Sequence, residues 1–204
     1  MKYIGRTPTA VPLTSSDITD GIISIADLAT TGTASSTTFL RGDGAFAEAG
    51  GGKVLQVVQT LKTDTESVSG NSFTDVSGLN VAITPSATSS KVLIMLTMSM
   101  GGNGDVYPAF KLIRGSTTVT TATNLQGSCI SATFGKNCYH STNTENLSYT
   151  FLDSPSSSSE QTYKIQVRPM LATGKIWYLN RPGDTSDGNR YQGTTTLTAI
   201  EIGS

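Results

Sequence analysis

Hydrophobic positions in this chain change their period at one place. From residue 53 onward, apolar side chains recur every second position in short runs, the spacing of strands with a buried face. VLQVVQT (54–60) opens the series, and a second strand is expected over 73–83, broken near Gly78. KVLIMLTMSM (91–100) is the strongest. Val92, Ile94, Leu96, Met98 and Met100 share one face of it, while Leu93, Met95, Thr97 and Ser99 share the other. Its first half is apolar on both faces, so it is expected to lie centrally and to be covered on both sides. AFKLIRG and STTVTT predict a hairpin around Gly115 and Ser116. LSYTFLD places Leu147, Tyr149 and Phe151 on one face. TYKIQVR places Tyr163, Ile165 and Val167 inward and Lys164, Gln166 and Arg168 outward, and KIWYLN and TTTLTAIEI close the series. Turn residues separate these runs: Thr84 and Pro85, Gly101 to Gly104, Ser154 and Pro155, and Pro182, Gly183 and Asp184. Eight or nine short strands without a convincing helix predict an all-β domain, a jelly-roll-like β-sandwich.

The residues upstream follow no such period. Residues 1–34 begin with Pro8 and Pro12 among threonines, which favours extended backbone. Ile18, Ile22, Ile23, Ile25 and Leu28 then alternate with Asp17, Asp20 and Asp27. Spacings of three and four fit a short amphipathic helix starting near Ser16 and Asp17. Gly21 and the β-branched isoleucines fit an extended segment nearly as well. In either form these side chains cannot bury themselves within so short a segment, so they need the downstream domain or another copy of the chain. Residues 35–52, SSTTFLRGDGAFAEAGGG, join the halves: Phe39, Leu40 and Phe46 flank a glycine-rich turn, and three glycines follow. The predicted plan is an arm (1–34), a junction (35–52) and a β head (53–204).

Charge narrows the partners. Charged residues make up 14% of the chain and the net charge is −1, without the basic stripe of a nucleic-acid binder or a polybasic membrane module. The longest aliphatic run, 92–96, is far too short to insert into a bilayer. MKYIGRTPTA lacks the apolar core of a secretory leader, so synthesis and folding in a cytosol are expected. Hydrophobic residues are only 36%, and a thin core makes burial against sister subunits attractive. Cys129 and Cys138 are expected as free, partly buried thiols rather than a cross-link.

Candidate chemistry is sparse. No nucleophile elbow, P-loop, HExxH or GxGxxG occurs, and a triad would have to use the lone His140, so no enzyme and no cofactor are expected. Asp153, Asp184, Asp187 and Glu201 read as turn or strand-end acids rather than a glycosidase pair. His140, Cys138 and Cys129 fall short of a zinc set. GDTSDGN (183–189) resembles part of a calcium loop but lacks its bidentate glutamate, which favours a solvated turn. Arg41, Gly42 and Asp43 spell an integrin tripeptide in a turn context, and the turn is the preferred reading. The better binding candidates are the loop residues Tyr107, Arg181, Arg190 and Tyr191, whose rings and guanidinium groups suit sugars or protein contacts. Trp177 and Tyr178 are read as core.

The stretch DITDGIISIADLATTGTASSTTFLRGDGAF resembles the stem preceding the C-terminal domain of many bacteriophage tail-fibre proteins, with Phe46 where their STFLRGDGxW motif usually has Trp. SFTDVSGLNVAITPSATSSKVLIMLTM, FKLIRGST and SYTFLDSPSSSSEQTYKIQVR are similar to the heads of marine tailed-phage fibres. The resemblance implies a homotrimeric virion fibre assembled in the bacterial cytoplasm. Its arm, through Ile18, Ile22, Ile25, Leu28, Phe39 and Phe46, would form the stem and meet other virion proteins of tail, collar or capsid. Its head would meet a host glycan or envelope protein. The short stem leaves room for a capsid decoration fibre, and a carbohydrate-binding module is the alternative from another class.

Overall fold

The computed structural model describes residues 31–36, 38–48, 53–169 and 174–203. The chain divides into two compact units, Met1–Gly51 and Gly52–Ser204. The helix considered near Ser16, with Ile18, Ile22, Ile25 and Leu28, lies outside the described residues.

In the first unit, β1 (Thr38–Leu40) and β2 (Phe46–Glu48) form an antiparallel hairpin that pairs Leu40 with Phe46. Gly44, at φ 80°, donates its N–H to the Arg41 carbonyl at 2.9 Å, and the Ala45 N–H donates to Asp43 Oδ1 at 3.1 Å. The tripeptide is thus a hairpin turn, and its exposed Arg41–Asp43 pair, 3.4 Å apart, closes within one chain. Phe46 donates its N–H to the Thr31 carbonyl at 2.7 Å, tying residue 31 to the hairpin. Phe46 is half-buried there and Phe39 is exposed.

The second unit is a β-sandwich. Its strands are β3 (Val54–Lys62), β4 (Glu66–Ser69), β5 (Thr74–Ile83), β6 (Lys91–Gly102), β7 (Ala109–Arg114), β8 (Thr117–Thr118), β9 (Phe134–Gly135), β10 (Glu145–Asp153), β11 (Gln161–Arg168), β12 (Ile176–Leu179) and β13 (Thr195–Ile202). In the first sheet β6 is central. One of its edges pairs with β10, and the other pairs with β13 and then β12, end to end. Beyond these, β3 pairs with β13 and β4 with β12. The pairs β3/β4 and β12/β13 are therefore interrupted long strands, and the sheet is four strands wide. The second sheet runs β5-β11-β7, with β8 and β9 along the free edge of β7. Counting each interrupted pair as one strand, and β8 with β9 as another, the orders are 1-8-3-6 and 2-7-4-5, a jelly-roll arrangement.

Alternation determines the core. The even positions of β6, from Val92 to Met100, are buried, as are Tyr163, Ile165 and Val167 of β11. Phe110 stacks on Phe134 and meets Trp177 edge-on at 5.8 Å, and Phe134 stacks on Tyr149 at 4.4 Å. The hairpin at Gly115 forms as β7 and β8. Near Gly78 the strand does not break but bulges: Asn80 faces Lys164 while Asp75 faces Gln166, and Gly78 takes φ 67°. Gly101 and Gly102, read as turn residues, end β6 instead.

One expectation needs correction. The second face of β6 is not covered along its length: Leu93 is half-buried and Met95 is 44% exposed. Only its far end is closed over, by the chain's own 181–193 segment. A Cβ at Gly193 would stand 2.4 Å from Ser99 Oγ, and one at Gly101 would stand 2.5 Å from the Arg181 carbonyl oxygen.

Candidate functional site

The 181–193 segment interrupts the long strand made by β12 and β13. It folds back over Ser99 and Gly101 because those positions leave room for backbone. At Gly183 a Cβ would lie 2.2 Å from the Gly102 carbonyl oxygen, so the segment rests backbone against backbone. The 136–144 loop, which leads into β10, comes to the same place. Asp184 donates its N–H to the Ser141 carbonyl at 2.8 Å, and a Cβ at Gly101 would also meet the Asn143 carbonyl oxygen at 3.2 Å.

Where the two segments meet they leave a surface depression of about 270 Å³, lined by Thr142, Asn143, Thr144, Glu145, Asn189, Arg190 and Tyr191. Thr144 Oγ1 donates to the Tyr191 carbonyl at 3.4 Å, and the Tyr191 hydroxyl reaches back to the Thr144 carbonyl at 3.5 Å. Tyr191 is still 59% exposed, so part of its ring is open to solvent. The charges around the depression are matched. Arg190 Nη1 lies 2.5 Å from Asp184 Oδ2, and this contact, with further bonds from Ser186, holds the Asp184 carboxyl well below the usual range. Glu145 pairs with Lys136 at 3.4 Å. The lining is thus two ion-paired side chains, Glu145 and Arg190, with hydroxyls, side-chain amides and one aromatic ring between them. Such groups suit a hydroxyl-rich neutral ligand better than an ion.

Of the expected binding residues, the structure brings Arg190 and Tyr191 together. Arg181 does not line the depression: its guanidinium lies 3.8 Å above the Tyr178 ring and donates to the Pro182 carbonyl. Tyr107 stands apart as well, edge-on to Tyr139 at 6.2 Å. Residues 142–145 were not singled out as candidates. The polar run STNTEN was their signal, and nothing local to it points to a partner almost fifty residues away. Trp177 is buried in the core, whereas Tyr178 faces the other side of β12 and is buried beneath Arg181.

The other candidates resolve into structural roles. In GDTSDGN, Asp184 Oδ1 accepts from Ser186 and Asp187 Oδ1 accepts from Asn189, so both carboxylates brace their own turns. Asp153 bridges the two sheets, accepting from Tyr163 Oη at 2.7 Å and from Arg114 Nη1 at 2.5 Å. Glu201 is buried and accepts from Ser86 and Ser90. Cys138 is buried as a free thiol, whereas Cys129 is exposed rather than partly buried. His140 is an exposed loop residue. Among the described residues, no three His, Cys, Asp or Glu side chains gather as a metal site requires.

No protein-family model matches this chain, and no curated protein matches its sequence.

Proposed function

We propose that the chain is a structural and adhesive fibre subunit of a tailed-phage virion, docked to the particle by its N-terminal arm and presenting the β-sandwich to the host surface. The observation that carries this reading is the STTFLRGDGAF stretch. Its described residues form a hairpin in one compact unit, and a jelly-roll unit follows it in the chain, the order along the chain that a stem and a head would have. The polar depression at Tyr191, its charges paired, supports an adhesive role, because hydroxyl-rich envelope glycans offer matching donors, acceptors and apolar ring faces.

Particles grown with a tagged full-length chain test the reading. Full-length protein is expected to co-purify with virions, and a chain lacking residues 1–46 is expected to be lost from them while its head keeps a cooperative unfolding transition. Labelling of the tag by electron microscopy distinguishes tail from capsid placement. A full-length chain that never enters particles would overturn the proposal.

A further inference from the structure

The two outer faces of the sandwich differ in chemistry. On the β5-β11-β7 sheet the outward side chains are charged and engaged with one another: Lys164 reaches Asp75 at 2.7 Å, and Arg168 reaches Asn71 at 2.7 Å. That face carries charge along β11, although Ala109 and Ile113 on the same side of β7 are buried.

On the other sheet, the outward face is closed over by the 181–193 segment at one end and bare at the other. The bare end carries an apolar row that crosses all four strands in register, Val57, Ile200, Leu93 and Leu152. Val57 is 59% and Leu152 47% exposed, and Met95 extends the row toward the middle of the sheet. Around them the outward positions are threonine, serine and glutamine with two further apolar residues, Leu61 (57% exposed) and Ile202, and Lys91 at a corner is the only charge among them.

We infer that this bare half-face is a homotypic contact, covered in the assembled protein by a second copy of the same chain. Three observations favour a copy over another occupant. A face that meets its own duplicate must avoid like charges, and this one is nearly free of charge while the opposite face is not. Four strands ~4.8 Å apart and about eight residues at ~3.3 Å give a plan area of ~500 Å². That is the scale of one partner's share of a standard interface, ~800 Å² of accessible surface. The apolar row also lies at the end where the chain enters the sandwich: Val54 opens β3 and pairs with Ile202, which pairs in turn with Lys91. Copies that meet through this face bring the starts of their β3 strands close together. The inference deepens the fibre reading by placing the contact between copies on the head, yet it does not depend on a virion.

The test uses the full chain. Peroxide footprinting read by mass spectrometry compares Met95 with Met98, which is fully buried. Light scattering gives the mass in multiples of 21.3 kDa. A photo-crosslinking residue at Thr150, which is outward and opposite Met95, identifies the neighbour. The expected result is a multimer in which Met95 oxidises as slowly as Met98 and Thr150 cross-links to strand peptides of another copy. Val57→Glu with Leu152→Glu is expected to restore rapid Met95 oxidation while circular dichroism stays unchanged. If the pair fails to fold, the wild-type footprint and cross-link still decide. Rapid Met95 oxidation in the wild type, a protected single-chain species, or cross-links to residues 1–30 would each overturn the inference. Failure of virion incorporation would overturn only the fibre reading.

Discussion

Thr195 donates its hydroxyl to Asn180 Oδ1 at 2.7 Å, and both residues are fully buried. On its other side Asn180 Nδ2 donates to the carbonyls of Lys62 and Asp64, at 2.9 and 2.8 Å, and its backbone N–H donates to Ser99 at 2.8 Å. One side chain therefore closes both interruptions of the first sheet, the step between β3 and β4 and the departure of the 181–193 segment. Asn180 also sits at φ 58°, where asparagine is tolerated far better than most residues.

Asn180→Ala is expected to be among the most damaging single changes in the head. It removes the amide donor from the Lys62 and Asp64 carbonyls and the acceptor from the Thr195 O–H, and it adds strain at a positive φ, a loss of about 3 kcal/mol. Asn180→Gly relieves the backbone and keeps the polar loss, so it should fall between wild type and alanine. Urea titrations of the three proteins check the order, and an alanine variant as stable as wild type would refute it.

Acid should destabilise the head partly through Glu201. Burial alone would raise its pKa, but bonds from Ser86 and Ser90 outweigh burial and lower it below the ordinary 4.5. Asp75 is lowered by Lys164 and Gln166. A carboxyl with a lowered folded pKa contributes stability above its unfolded value and loses it as pH falls through the folded one. Glu66, raised first by burial, has the opposite sign and offsets part of the loss. Unfolding free energy should therefore fall as pH drops below about 4.5, and Glu201→Gln, which keeps an acceptor but cannot ionise, should flatten that decline. Denaturation curves from pH 7 to 3 test both statements.

How much of this could be read from residues alone follows from the range of each interaction. Strands β6, β10 and β11 announce themselves because their amphipathy repeats every second residue, and Tyr163, Ile165 and Val167 point inward as expected. Strand β4 has a single buried apolar residue, Val68, so no period marks it. The jelly-roll order depends on pairings such as Val57 with Ile200, which no local window contains. Arg190 and Tyr191 stood out as loop residues of the right chemistry. Their neighbours Asn143 and Thr144 did not, because the two segments, far apart in the chain, meet over the glycine-lined end of β6 and through bonds such as Asp184 to Ser141 that no local window contains.

The two thiols should differ sharply. Burial, with a smaller contribution from Glu145, pushes the Cys138 thiol up to about 11, while Cys129 is exposed. The thiolate is the reactive species, so a thiol reagent at neutral pH should label one cysteine per native chain quickly and the second only on unfolding. Peptide mapping should place the fast label at Cys129. Equal labelling of both in the native protein would contradict the burial of Cys138, whose backbone exchanges two hydrogen bonds with that of Val106.

The depression should depend on Gly101, although that residue lies beneath it rather than in its wall. A methyl at Gly101 would stand 2.5 Å from the Arg181 carbonyl oxygen, 2.8 Å from Pro182 Cα and 3.2 Å from the Asn143 carbonyl oxygen, all of them backbone. No side-chain rotation relieves such contacts, so Gly101→Ala must push the two loops off the sheet, at a cost of about 1–3 kcal/mol. The loops carry Thr144 and Tyr191, whose mutual bonds close the depression. Gly101→Ala should therefore lower Tm and also expose Tyr191 further to radical footprinting. Gly42→Ala is the matched control, since a Cβ there meets nothing within 4 Å. It should change stability by less than ~0.5 kcal/mol. If Gly101→Ala lowered Tm without changing the Tyr191 footprint, the loops would be held by contacts other than those over Gly101. The depression would then have to be explained by the 142–145 and 189–191 segments alone.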